Sequence, residues 1–197
     1  MIDPRTQKIL NFLKEAEKLK LVERINYLSD QQRRENDAEH SWHLALFLMC
    51  LEREPGIDFD MERALKMAAL HDMVEIETGD GWVTDHSGKQ EKKAREIAAA
   101  KKVFSSLPED MAEEFFSLWR EYDEGKTAES KILKALDKTL YHLQYSVSQR
   151  IEWDRPTSHE ESREYAMPHL EFNQKIIDMF EHLMAETPAK FNPEEKK

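Results

Sequence analysis

The 197-residue sequence predicts an all-α fold organised as a single domain. Glycine and proline are few, five and seven, while Ala, Leu, Glu and Lys are abundant, which favours helices over a turn-rich β fold. Apolar residues recur at spacings of three and four along much of the chain. Helix start and stop signals punctuate it, and no stretch reads convincingly as a strand, an internal repeat or a low-complexity segment.

In chain order, Asp3-Pro4 is an N-cap followed by proline at the first helical position, and opens a helix to about Lys20. A short segment, "LVERINYLSD", leads into the polar "QQRREN". Asn36 to Glu39 has the form of a capping box, and the helix it starts runs to about Arg53. "EPGIDFD" breaks the chain. The next helix carries Met61, Leu65, Ala68 and Asp72 on one stripe and continues through His71, Asp72 and Glu75. "TGDGWVTDHSG" is a loop by its glycines and polar residues. A charged helix follows over about 89–106, and Pro108 starts another to about Tyr122, ended by Gly125. The helix from about Thr127 to Val147 shows Leu133, Leu136, Leu140, Leu143 and Val147 at spacings of three and four. Ser158 to Glu161 is a second capping box, and the last helix ends near Ala185. The length suits one domain, expected over residues 1–187, with 188–197 as a flexible, solvated tail.

A formal net charge of −11 argues against a nucleic-acid polymer or an anionic membrane as partner, because both call for a basic face. A single nucleotide is compatible with it, since a metal and a few local cations suffice to hold one phosphate. The one cysteine, Cys50, has no internal disulfide partner, and the N-terminus lacks the apolar stretch of a signal peptide. The longest apolar run, residues 44–51, is far short of the roughly 20 needed to cross a bilayer. A soluble, cytoplasmic protein is expected.

Residues with metal-ligand chemistry fall on apolar faces. His71 and Asp72 interrupt a core-like run, and Glu75 lies four and three residues beyond them, on the same side of the expected helix. Asp137 sits between Leu133 and Leu140, in the middle of the core stripe of its helix, so it must find a partner. His40 stands in the first turn of its helix, just before the most apolar stretch. Imidazole plus carboxylate suits a divalent ion with positions left for water and substrate. From spacing alone a second reading stands beside this one, in which each His or Asp is buried against a backbone group or an arginine.

The order His40, His71-Asp72, Asp137 resembles the H…HD…D signature of the HD-domain phosphohydrolases. The blocks "LKLVER", "RRENDAEHSWHLAL", "ALHDMVEIETGD" and "LKALDKTLYHL", spanning residues 19 to 143, resemble those of its 5′-deoxynucleotidase branch. The resemblance implies a helical domain with a metal site in its core, one divalent metal ion per chain (Mn, Co, Mg, Fe, Ni or Zn) and hydrolysis of a deoxyribonucleoside 5′-monophosphate to nucleoside and phosphate. It implies His40, His71, Asp72 and Asp137 as metal ligands and Glu75 as the acid/base residue. Arg24 would contact the phosphate, and Asp80 would meet the sugar or orient the site. The chain departs from the branch after "GD", where "GWVTDHSGKQ" replaces a proline-containing loop that borders the substrate. A homodimer is implied too, with Trp119 and Phe116 as apolar residues able to meet across it.

Other readings compete. An HD hydrolase of a different nucleotide, a deoxynucleoside triphosphate or an alarmone, would release something other than orthophosphate. A non-catalytic helical metal-binding module would have no use for Glu75. Other residues have plainer expectations: His43 packs or supports the site, and Trp42 is core or lines the pocket. His142, His159, His169 and His182 are surface or packing residues. Arg33 and Arg34 cap, pair or draw in anions, "KQEKKAREIAAAKK" is a solvated helix face, and Met67, Met73 and Met179 fill the core. His86, in the loop, is the one histidine between the HD pair and Asp137, which favours one metal over two.

Overall fold

The computed structural model describes residues 2–80, 88–148, 157–187 and 190–191. Loop residues 81–87, His86 among them, lie outside the described residues, as does most of the stretch read as a tail. Helix α1 (Pro4–Ala16) is capped by Asp3, whose carboxylate accepts from the Thr6 N–H. A 3₁₀ turn (Glu17–Leu21) takes over where the sequence suggested continuous α-helix. Helix α2 (Asp37–Leu51) begins at the expected capping box: the Asn36 side chain accepts from Glu39 N–H at 3.0 Å and the Glu39 carboxylate accepts from Asn36 N–H at 3.2 Å.

The first difference from the sequence reading lies before α2. Residues Glu23–Tyr27 form strand β1 and Arg34–Asn36 form β2, an antiparallel pair with Tyr27 opposite Arg34. Two short strands carry little signal of their own. This pair is held by α7 (Ala128–Ser148): the Gln144 amide donates to Tyr27 O at 2.7 Å and the Asn26 amide donates to Tyr141 O at 3.1 Å. A second pair, β3 (Thr157–Ser158) with β4 (Lys190–Phe191), reaches into the stretch read as a solvated tail.

The second difference matters for function. Helix α3 (Met61–Leu70) ends one residue before His71. The chain then tightens, with Met73 N–H donating to Leu70 O and Glu75 N–H to Asp72 O, before the single turn of α4 (Glu75–Thr78). Gly79, at φ 72°, ends that turn in a conformation that favours glycine. His71, Asp72 and Glu75 therefore do not share one regular helix face.

Helices α5 (Lys89–Phe104) and α6 (Glu109–Glu124) match their predicted spans closely, and Gly125 closes α6 at φ 65°. The last predicted helix is two, α8 (His159–Leu170) and α9 (Gln174–Ala185). Asn173 makes the break, since its side chain caps α9 by accepting from the Lys175 and Ile176 N–H groups. Helix α7 is the central rod, packed against α2, α3, α6, α8, α9 and β1. Its core includes Leu133, Leu136 and Leu140. Val147 departs from the predicted stripe: it is exposed, and Gln144, Tyr145 and Ser148 are buried instead. Trp119 is buried and Phe116 packs against the core, so neither is the free apolar residue the sequence suggested. Trp42, expected in the core or the pocket, is 66% exposed, on a face of α2 shared with Leu46 and Met49.

His142 is a packing residue. It is buried between the Tyr141 and Phe180 rings, its Nε2 2.9 Å from Ser162 Oγ. Burial, and then the neighbouring His159, lower its pKa from 6.5 to about 3. The folded state thus holds it neutral while the unfolded chain takes up a proton below about pH 6.5, so stability present above that pH is lost as pH falls toward 3. Thermal melts at pH 7 and pH 5 should show a larger drop for the wild type than for His142→Gln; equal drops would remove His142 as a source of acid sensitivity.

Candidate metal centre

Three elements bring the expected residues together. His40 comes from the first turn of α2, His71 and Asp72 from the turn after α3, and Asp137 from the middle of α7; all four are buried. Donor atoms of His40, His71 and Asp72 lie within 4.8 Å of one another, a group able to hold a metal ion. Asp137 joins through His40, whose Nε2 is 2.9 Å from Asp137 Oδ1. Its other oxygen faces Lys138 Nζ at 2.7 Å and the Tyr122 hydroxyl at 3.4 Å.

The His71 ring is oriented for a ligand. Its Nδ1 is 2.9 Å from Ala68 O, so the proton belongs on Nδ1 and the Nε2 lone pair faces the cluster. That Nε2 is buried with no hydrogen-bond partner among the described residues, although Asp72 Oδ2 is 3.0 Å away. A buried orphan nitrogen among carboxylates is the feature a divalent ion resolves, and two imidazoles with two carboxylates are a donor set such an ion accepts.

Glu75 and Asp80 also belong to the cluster, together with Asp37, which the sequence reading passed over. Oxygens of these three lie within 4.8 Å of one another, and Asp37 Oδ2 and Glu75 Oε2 have no hydrogen-bond partner among the described residues. Arg24 spans the same region: its Nη1 is 3.1 Å from Asp37 Oδ1 and 3.3 Å from Asp72 Oδ2, and its Nε is 3.8 Å from Glu35. Glu35 and Asp37 are both buried on either side of Asn36. The two-residue period of a strand entering a helix puts both carboxylates inside, the signal that identifies them.

Electrostatics follow from this crowding. Burial, and then Asp72, Asp37 and Asp80, push the Glu75 carboxyl up to about 12 in the absence of a cation. Burial and Asp72 raise Asp37 to about 7, and burial raises Asp80 as well. Burial followed by the Arg24 charge lowers His40 to about 4, so its imidazole is neutral. Burial opposes charge on His71 and Asp72, yet their mutual attraction outweighs it: His71 is raised and Asp72 lowered. Asp137 is also buried, but Lys138 and His40 hold it well below the usual carboxylate range. Beside Glu75, a cleft of about 630 Å³ opens between α4 and α5, with Gly79, Lys92, Arg95 and Lys102 on its walls.

Among the described residues, the other histidines stay out of the centre. His43 is partly buried against Trp42, His159 bonds Thr187, and His182 pairs with Glu186 on the surface. Arg33 is paired with Glu39.

A helical domain with two imidazoles and two carboxylates buried at one point defines the class: an all-α protein built around a candidate metal centre. The chain belongs to the HD domain family, whose family model matches residues 16–176. It is similar to the protein named 5′-deoxynucleotidase HDDC2 of Homo sapiens, 33% identical over 145 residues that make up 73% of this chain and 70% of that one. It is also similar to 5′-deoxynucleotidase hdd1 of Schizosaccharomyces pombe, 33% identical over 135 residues, 66% of this chain and 67% of that one. Among solved structures, a protein described as a predicted metal-dependent phosphohydrolase from Magnetospirillum magnetotacticum superposes with a TM-score of 0.80 at 29% identity, covering 94% of this chain and all of that one.

Proposed function

We propose that the protein is a metal-dependent 5′-deoxynucleotidase, hydrolysing deoxyribonucleoside 5′-monophosphates to deoxynucleoside and phosphate. The observation that carries this is the orphan His71 Nε2 within the buried His40, His71, Asp72 group, beside Glu75, in an HD chain whose curated relatives bear that name. His40, His71, Asp72 and Asp137 hold one divalent ion. When bound, that ion neutralises charge on the phosphoryl oxygens and makes water a better nucleophile at neutral pH.

The protein's own residues do the rest. Arg24, kept cationic by Asp72, Asp80 and Asp37 despite its burial, contributes positive charge toward the phosphate. Glu75 takes or returns a proton at its unpartnered Oε2. Water oxygen bonds to phosphorus, the bond from phosphorus to the 5′ oxygen breaks with its electron pair on that oxygen, and a proton completes the alcohol. Asp80, which follows Gly79 of the cleft wall, orients the sugar. The cleft falls in the volume range of a nucleotide-sized ligand.

Among the described residues no helix is long and apolar enough to cross a membrane. The lone cysteine fits a reducing compartment, and we place the protein in the cytoplasm. We also infer a homodimer, supported by the exposed Trp42, Leu46 and Met49 on one face of α2 rather than by Trp119 and Phe116.

The test is phosphate release from deoxy- and ribonucleoside 5′-monophosphates after stripping the protein with chelator and restoring Mg²⁺, Mn²⁺ or Co²⁺ in turn. Release that needs a restored ion and favours deoxy substrates is expected. No release from any monophosphate with any ion, or release of pyrophosphate or triphosphate when a deoxynucleoside triphosphate or an alarmone is supplied in its place, would overturn the reading.

A further inference from the structure

Lys138 is the residue of this centre that the proposed chemistry has left without a task. Neighbours in sequence on a helix point about 100° apart and do not normally face each other. Lys138 nevertheless folds back along α7 so that its ammonium is 2.7 Å from Asp137 Oδ2, and its side chain is only 19% exposed. Its Nζ also lies 5.2 Å from the Tyr165 ring centroid, on α8. A lysine gives up hydration to sit this way, a cost its pairing with Asp137 offsets, and the result is a cation fixed beside a proposed metal ligand.

Arg24 is committed to Asp37 and Asp72, with Glu35 within reach of its Nε. An ammonium carries three N–H donors, and Lys138 spends one of them on Asp137. The two cations come from different elements and meet different carboxylates of the centre, Arg24 from β1 at Asp72 and Lys138 from α7 at Asp137.

We propose that Lys138 is a further substrate-binding residue, its ammonium donating to a phosphate oxygen of the nucleotide held at this centre. This rests on the phosphomonoesterase reading. Its signature differs from that of a residue that merely steadies Asp137. Removing a positive charge weakens anion binding but does not disfavour a cation, so the effect belongs to phosphate and not to metal.

The experiment compares wild type, Lys138→Met and Lys138→Arg, each checked for folding by circular dichroism and thermal melting. KM, kcat and inhibition by inorganic phosphate are measured with saturating Mn²⁺, and Mn²⁺ binding is measured separately by equilibrium dialysis. For Lys138→Met, KM and the inhibition constant for phosphate should both rise about 10-fold or more, with Mn²⁺ affinity unchanged or tighter. Lys138→Arg should recover part of the loss if the methionine protein is folded, and it carries the test alone if that protein is not. Loss of Mn²⁺ binding with phosphate inhibition unchanged would overturn the proposal in favour of an Asp137-steadying role. Unchanged KM and phosphate inhibition in a folded Lys138→Met protein would overturn it outright. Wild type without metal-dependent phosphate release would instead strike the underlying reading, and is seen before any variant is made.

Discussion

Asp72→Ala is expected to yield a protein that no longer retains a divalent ion and releases no phosphate above background. Asp72 ties the parts of the centre together: His71 Nε2 at 3.0 Å, Arg24 Nη1 at 3.3 Å, and a donor atom in the group with His40. Removing an outer partner of a metal ligand typically costs about 10–100-fold in affinity, and removal of a ligand carboxylate should exceed that. The fold should tolerate the change. Asp72 is one of the charges that push Glu75 and Asp37 upward, so its loss relieves repulsion even as it leaves Arg24 and His71 with one carboxylate fewer. Equilibrium dialysis with Mn²⁺, phosphate release and a thermal melt on the same preparation separate these effects. A metal-free Asp72→Ala protein that still turned over substrate would remove the mechanism.

The parts of this centre that were legible in the sequence are those where a polar residue breaks an apolar stripe. Asp137 between Leu133 and Leu140 is the clearest case: helical period alone placed a carboxylate in the core, and the core is where it lies. His40 was legible from the capping box that fixed the start of α2 and the apolar run that follows. What periodicity could not supply was the break after Leu70. No glycine or proline marks it, and residues 66–75 read as continuous helix, so the geometry of His71, Asp72 and Glu75 had to come from the tightened turn itself. Asp37 was passed over because an acid in a first helical turn is ordinary dipole and capping chemistry; only the pairing of β2 with β1 turns it inward. Lys138 was passed over for a related reason, since a lysine following an aspartate on a helix normally points to water. The hairpin and the α8–α9 break depend on contacts distant in sequence, with α7 for the former and with the Gly56 carbonyl, which accepts from the Asn173 side chain, for the latter. Trp42 shows the converse limit. An aromatic next to "LALFL" looks like core, but α2 is apolar on more sides than the domain covers.

Glu75→Gln should separate an enzyme from a helical module that merely holds a metal. The substitution keeps size and shape and removes the ionisable group. Turnover is expected to fall roughly 10²-fold or more, the usual contribution of a general acid or base, while the ion stays bound, because the four proposed ligands are untouched. Stability should hold or rise: crowding by Asp72, Asp37 and Asp80 makes the folded protein hold a proton on Glu75 that the unfolded chain gives up at neutral pH, and an amide needs no such proton while keeping a donor beside Asp37. The measurement is kcat for a deoxynucleoside monophosphate together with Mn²⁺ content and melting temperature. A structural metal site predicts full retention of whatever function the protein has, since a carboxylate beside a saturated ion would be idle. Wild-type kcat in the glutamine protein would therefore take the acid/base role from Glu75 and pass it to Asp37 or Asp80, whose carboxyls share the cluster. Loss of the ion together with activity would make Glu75 a ligand, and the Asp37, Glu75, Asp80 group a second metal position.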